Sequence, residues 1–311
     1  MSDPERPLAA MASRAARRLA SPTRMMLAAA IGTIAGLGAA HGVTIAAEQS
    51  TPAEATHGAS AASTAVTTAG TTAGTTDRRA AAPVYEIPAY APSYVRRAIE
   101  SPERPAAQRA RDAGRKPAEI LMMSGIKPGD RVIEFASFGQ YYTRLLSDIV
   151  GRSGRVYMFD LPYTEKRAGA ASRAFVAAHP NSKYTVVNYN SVQLPRNVDI
   201  VYMVLYYHDL SINHIDTARL NERILAALKP GGIFLIVDHN ARPGSGRSDT
   251  QALHRIDPAV IRKEVTAAGF ELVKESHLLA NPADDHTLLV FKPSIRGRTD
   301  RTIFVFRKPF R

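Results

Sequence analysis

The sequence predicts an α/β protein built on a seven-stranded, mostly parallel, doubly wound sheet. Three observations carry this. Short β-branched apolar runs alternate with amphipathic stretches between residues 131 and 277, as strands joined by crossover helices do. The stretch 131–148, RVIEFASFGQYYTRLLSD, runs from an apolar pair into Glu134, then a small-residue turn, then apolar residues at helical spacing. Strand, turn and helix in that order hold nucleotide-like ligands at the carboxyl edge of a parallel sheet. A second acid, Asp160, ends the next apolar run 26 residues further on, where such folds place the carboxylate that takes ribose hydroxyls.

The chain begins with material of another kind. Residues 1–24 carry five Arg, and 25–40 are an apolar Ala/Gly-rich run, MMLAAAIGTIAGLGAA, with small residues continuing to Ala47. A basic leader, an apolar centre and small exit residues describe a secretory signal over 1–47. His41 and the weakly apolar Gly and Thr count against a membrane span. Export to a bacterial periplasm is the expectation. An uncleaved N-terminal anchor, giving proximity to the inner membrane, is the alternative. Residues 48–82 are Ala, Thr, Ser and Gly with hardly a large apolar side chain. Such a segment cannot offset its ordering entropy and reads as a disordered linker. The folded domain is therefore expected over 83–311.

Composition excludes some chemistry. There is no cysteine, hence no disulfide framework, thiolate metal site or cysteine nucleophile. The net charge of +12 raises the question of nucleic acid. Five Arg against two acids in 1–47, and two Arg against three acids in 48–82, leave +10 on the domain. That surplus is interspersed with acids and lacks an alternating aromatic stripe, so no specific nucleic-acid signature is present. A solvated basic surface, or attraction to anionic substrate or membrane, accounts for it.

Within the domain, aromatic residues and prolines alternate over 84–94, as in an extended surface segment. A short helix is expected over 93–99, a basic loop or helix over 104–116, and a helix from Pro117 that Gly125 stops. Residues 155–159 form the second strand, 164–178 a helix and 184–187 the third strand. The run VDIVYMVL at 198–205 is a buried fourth strand leading into Tyr206, Tyr207, His208 and Asp209. Ile215, Leu220, Ile224, Leu225 and Leu228 set one helix over 213–228. A Lys-Pro-Gly-Gly turn then leads to the fifth strand, 233–237, which arrives at Asp238 and His239. Asp257-Pro258 caps a helix to Ala268. Strands six and seven, 270–277 and 302–307, are separated by a long polar connection.

From about Lys116 onward the chain resembles the class I S-adenosylmethionine-dependent methyltransferases. The matching features are VIEFASFGQYYTRLL, Asp160 after strand two, VDIVYMVLYYHDL, LKPGGIFLIVDH and the hairpin-like final strands. More narrowly it is similar to exported bacterial proteins called predicted methyltransferases, which share YYT, YHDL, DH-x-A-x-PGSG, LHRI-D and a late DDHT segment. The resemblance implies a Rossmann-like methyltransferase fold with an antiparallel last strand, and S-adenosylmethionine as cofactor. It implies cofactor contacts at Glu134, Ala136, Ser137, Gly139, Tyr141, Asp160 and Asn190. The loop departs from the family pattern, with Ala136, Phe138 and Gln140 standing where that pattern has glycine. Either Phe138 becomes a wall of an altered pocket, or cofactor binding is weakened or lost.

The second set of candidates lies at strand ends. Tyr206, His208, Asp238, His239 and His254 should converge at one crevice, because carboxyl ends of neighbouring strands face the same side. Imidazoles and carboxylates there could supply a base for a methyl acceptor or hold a metal ion. Asp209 reads as a helix cap. Three functions follow: a methyltransferase acting on an unknown small molecule, an exported methyltransferase-like binding or regulatory domain without catalysis, and a metal-assisted hydrolase using the His/Asp cluster. No metal ligand is assigned from the sequence, and nothing in it names an oligomeric state.

Overall fold

Period-two alternation assigns each strand residue to one face of the sheet, and both faces are apolar. The computed structural model describes residues 84–310, within one unit, Thr75–Arg311. The expected signal and the whole of the expected linker lie outside the described residues. Four short helices come first: α1 (Ser93–Glu100), α2 (Ala106–Arg109), α3 (Asp112–Arg115) and α4 (Pro117–Ser124). Then follow β1 (Arg131–Phe135), α5 (Tyr141–Val150), β2 (Arg155–Asp160), α6 (Glu165–Ala178), β3 (Ser182–Val186) and β4 (Val198–Val204). The chain continues through α7 (Asp209–Ile212), α8 (Thr217–Ala227), β5 (Leu228–His239), α9 (Thr250–Leu253), α10 (Pro258–Ala267), β6 (Glu271–Ser276) and β7 (Arg301–Arg307).

The strand order is β3-β2-β1-β4-β5-β7-β6. All pairs are parallel except those of β7, which is antiparallel to β5 and β6. This is the seven-stranded doubly wound arrangement expected, with its last strand reversed. Val132, Ile200, Tyr202, Leu235 and Val237 face one buried cluster with α1, α4 and α5. Ile133, Phe135, Val201, Met203, Phe234 and Ile236 face the other, with α8 and α10. Burial on both faces is why the strands read as continuous apolar runs.

Two elements differ from their sequence expectations. The helix expected over 213–228 starts later, at Thr217, because the Asp216 carboxylate accepts the Arg219 N–H at 3.0 Å and caps α8 there, while the short α7 precedes it. The Lys229–Gly232 segment stays in β5 instead of forming a turn. Gly231 N–H donates to Lys308 O and Lys308 N–H to Gly232 O, both at 2.9 Å, so the final strand's exit holds it.

The polar connection from β6 to β7 is fixed by charge. Arg255, fully buried, is bidentate to Asp284 at 2.9 Å for each bond and also donates to Asn240 O and Leu288 O at 3.0 Å. Asp284 in turn accepts Asp300 N–H at 2.6 Å. Removing one partner of a buried pair strands the other charge, at about 3–5 kcal/mol. Arg255→Ala is therefore expected to lower stability by about that much in urea unfolding. Removing the exposed Arg307–Glu271 pair through Arg307→Ala should change stability by less than about 1 kcal/mol.

Glu134 occupies a position where alternation calls for an apolar side chain. It is 6 % exposed, and Thr143 Oγ1 of α5 donates to it at 2.5 Å. Burial pushes its carboxyl up from 4.5 to about 8, against the Thr143 hydrogen bond and with help from Asp160. Between those two values the folded protein keeps a proton that the unfolded chain has released, so stability falls as pH rises through the window. Glu134→Gln should flatten this dependence. Urea unfolding at intervals from pH 5 to pH 8.5 checks it, and an unchanged slope in the variant would show that Glu134 is not the group responsible.

Candidate functional site

Two strands leave the sheet through left-handed residues that are not glycine. Ala136, after β1, has φ 57° and Leu205, after β4, has φ 57°. Ala136 N–H donates to Phe159 O of β2 at 2.9 Å, and Leu205 N–H donates to Val237 O of β5 at 2.7 Å. Each strand thus turns toward its outer neighbour, and the crevice opens between β1 and β4, where the strand order reverses.

The β1–α5 loop follows. Gly139 has φ 86° and Gln140 has φ 45°. A Cβ at Gly139 would meet nothing within 4 Å, so its glycine answers to the backbone angle and not to crowding. Gln140 directs its amide to Ser172 Oγ of α6 at 2.9 Å. Phe138 is 40 % exposed and meets the Tyr206 ring edge-on, with centroids 6.1 Å apart. Ser137 gives both its N–H and its hydroxyl to Asp160 Oδ1, at 2.7 and 3.0 Å. Asp160 is 0 % exposed, its Oδ2 has no partner among the described residues, and burial raises its carboxyl above the ordinary range against the Ser137 donors.

Beside the loop, aromatic side chains pack the edge. Tyr189 is fully buried, donates its hydroxyl to Phe159 O at 2.6 Å and accepts Ala136 N–H at 3.2 Å. Tyr206 is buried with its hydroxyl 3.1 Å from that of Tyr163.

The histidine cluster is built around Asp238, the penultimate residue of β5. Its Oδ2 accepts His208 N–H at 2.8 Å, while Oδ1 meets His208 Nδ1 at 2.6 Å and accepts His239 N–H at 2.7 Å. The other ring nitrogen, His208 Nε2, lies 3.1 Å from Asp209 Oδ1 and 3.3 Å from His254 Nδ1. His254 Nδ1 is 2.9 Å from the same Asp209 oxygen. His254 ends α9 at φ 53°, another left-handed non-glycine residue. Burial opposes a charge on His208, but the Asp238 and Asp209 carboxylates push it up to about 10. Burial also opposes ionisation of Asp209, yet His208 and His254 hold it well below the usual carboxylate range.

Of the residues singled out in the sequence, His208, Asp238 and His254 come together. His239 lies alongside, its ring 5.8 Å from that of His208, but its Nδ1 meets Thr299 Oγ1 at 2.7 Å. Burial, then the positive charge of His208, Arg301, Arg255 and Arg115, holds His239 well below its ordinary value. Ala136, Ser137, Gly139 and Asp160 form one group at the loop. Tyr141 stands apart, its hydroxyl given to Asp112 Oδ1 at 2.6 Å under the Arg115 guanidinium, 4.5 Å above the ring. Asn190 bridges His214 O and Asp216 N–H at 3.0 and 2.7 Å. Asp209 caps nothing; its carboxylate sits between two imidazoles, and its place directly after His208 was the available signal. Tyr163 and Tyr189 carried none, since an isolated Tyr in a loop has no distinguishing pattern.

No family model matches the chain. Over 119 residues it is 28 % identical to the ubiquinone/menaquinone biosynthesis C-methyltransferase UbiE of Hydrogenovibrio crunogenus, a match covering 38 % of this chain and 45 % of that protein. The matched segment thus spans less than half of that relative's length. Among solved structures, a SAM-dependent methyltransferase from Aquifex aeolicus is 18 % identical with TM-score 0.46, covering 61 % of this chain and 87 % of that one. An S-adenosylmethionine-dependent methyltransferase from Mesorhizobium loti is 20 % identical with TM-score 0.45, covering 63 % and 99 %. The sheet order stands on its own as the Rossmann-like, seven-stranded fold.

Proposed function

We propose that the chain is an S-adenosylmethionine-dependent methyltransferase acting on a small molecule, with the cofactor at the β1–α5 loop and the acceptor at the β4–β5 edge. The observation that carries this reading is the loop backbone, left-handed at Ala136, Gly139 and Gln140. Glycine normally supplies that path, and strain of this kind is kept where function needs the geometry. Similarity to a C-methyltransferase supports the same reading.

The residues present fit an adenosyl ligand. Asp160 Oδ2 is a buried acceptor without a partner, suited to ribose hydroxyls. Gln140 is committed to Ser172 and Phe138 to Tyr206, so neither side chain is left to fill the loop's cradle. Glu134 acts through Thr143, fixing the first turn of α5. When bound, the cofactor supplies an electrophilic methyl group.

On the acceptor side the requirement is proximity and orientation, plus a base where the acceptor carries a proton. Asp209 holds His254 at Nδ1 and leaves its Nε2 to take that proton, as a carboxylate-oriented imidazole does. His208, held positive between two carboxylates, orients and does not act as the base.

A second reading, a binding or regulatory domain without catalysis, is favoured by one observation: Ser137 seals Asp160 from solvent. Calorimetric titration of the full chain with S-adenosylmethionine and its demethylated product separates the two. Saturable heat is expected, weakened about tenfold or more in Asp160→Asn. No heat at about 1 mM ligand, the upper end of ordinary enzyme affinities, would leave the second reading.

We also read the protein as exported, on the basic leader and apolar run of residues 1–47. N-terminal sequencing of the periplasmic fraction should find a start after Ala40, Gly42 or Ala47. An intact N-terminus in the membrane fraction would favour the anchor.

A further inference from the structure

We infer that His208, Asp209 and His254 form a binding site for one divalent transition-metal ion, with Asp238 as its supporting carboxylate. Three donor atoms converge, His208 Nε2, Asp209 Oδ1 and His254 Nδ1, at mutual separations of 2.9, 3.1 and 3.3 Å. Bonds of about 2.0–2.1 Å from nitrogen and oxygen to zinc place tetrahedral donors about 3.3 Å apart. The triangle is therefore already close to the size of one face of such a site, and the side chains need little movement to accept an ion.

The surroundings match what a metal-ligating histidine requires. A ligating imidazole almost always gives its other ring N–H to a carboxylate or carbonyl, which fixes the tautomer and aims the lone pair. Asp238 Oδ1 meets His208 Nδ1 at 2.6 Å, and the carboxylate is itself held by the backbone N–H groups of His208 and His239. With Nδ1–H given to Asp238, an ion that displaces the proton on His208 Nε2 meets a lone pair aimed at the cluster. His254 is brought in by a left-handed backbone, φ 53°, and its ring rests against Phe291 with centroids 4.9 Å apart.

The site is also open on one side. The His208 side chain is 2 % exposed, whereas Asp209 and His254 are 15 % and 26 % exposed. Three protein ligands with a solvent-facing fourth position describe a catalytic ion more than a structural one. Two imidazoles and one carboxylate select a borderline divalent ion, zinc, ferrous iron or cobalt, over magnesium or calcium, which prefer all-oxygen shells. An ion here would polarise an oxygen of the acceptor and lower its pKa, so that the acceptor could ionise without His254 as base. The inference does not depend on cofactor binding, which is read by a separate titration.

The test uses the full chain, purified without chelator, stripped by dialysis and titrated with cobalt(II) while visible absorption is followed. Expected are one equivalent of bound ion, a d–d band of a low-coordinate nitrogen and oxygen site, and displacement of cobalt by zinc. His254→Ala, on a partly exposed side chain, and Asp209→Asn should abolish the band. Asp238→Asn should weaken cobalt binding about 10–100-fold without removing a ligand. His286→Ala, whose ring meets Asp300 elsewhere in the connection, should leave the titration unchanged. Absence of saturable cobalt binding would overturn the inference, as would a one-equivalent site that persists unchanged in His254→Ala. Circular dichroism and urea midpoints of each variant establish that a lost band reflects lost ligands and not lost fold.

Discussion

The left-handed exits of Ala136 and Leu205 set the geometry on which the rest of the site depends. Along Val132–Phe135 and Ile200–Met203 the two central strands are paired residue for residue. Past those ends, one chain is hydrogen-bonded outward to β2 and the other outward to β5. An extended backbone at either residue would carry the strand straight on toward the crevice. Non-glycine residues in this region cost roughly 1–2 kcal/mol each. The expense is tolerated because a backbone hydrogen bond and buried neighbours over-determine each turn. Everything placed at the edge, from Ser137 over Asp160 to His208 beside Asp238, inherits its position from these two residues.

Buried carboxylates at the same edge show how neighbours decide a charge that burial alone would suppress. Glu134 has one hydroxyl donor and an apolar face, and it keeps its proton to about pH 8. Asp160 has one oxygen doubly donated and the other unmet among the described residues, and burial raises its carboxyl against those donors. Asp209 faces two imidazoles and is held ionised. Desolvation acts on all three, and the number and charge of the donors selects the outcome. An unmet oxygen is the one a ligand can reward.

Much of the fold was legible because the signals were local and redundant. Apolar β-branched runs, Asp257-Pro258 and the Gly125 stop each specify backbone from a few adjacent residues. The site was legible only in outline. Glu134, Asp160, His208, Asp238 and His254 could be named from their places at strand ends, because sheet topology gathers those ends. Their partners could not. Ala136 and Gln140 are marked only by standing where the resembled family has glycine, and Leu205 carries no sequence mark of a left-handed backbone. Thr299 reaches His239 across sixty positions, and Asp112 reaches Tyr141 across twenty-nine. Lys229–Gly232 read as a turn because Pro-Gly-Gly does so locally, while pairing with the chain's last strand overrides it.

The two halves of the site differ in what holds them. On the loop side, Ser137 makes two donations to Asp160, and Phe138 meets Tyr206 edge-on. Ser137 takes only Oδ1 of Asp160, and neither its donations nor the Phe138 contact involves His208. On the other side, Asp238 pins His208 at both backbone and ring, and fixes the backbone of His239 as well. A movement that exposes Asp160 can therefore shift Phe138 and the Tyr206 ring while the imidazoles stay registered on β5. An adjustable β1–α5 loop against a rigid histidine cluster follows from hydrogen-bond connectivity alone. It sets a fully buried Asp160 carboxylate beside a histidine cluster already closed by its own hydrogen bonds.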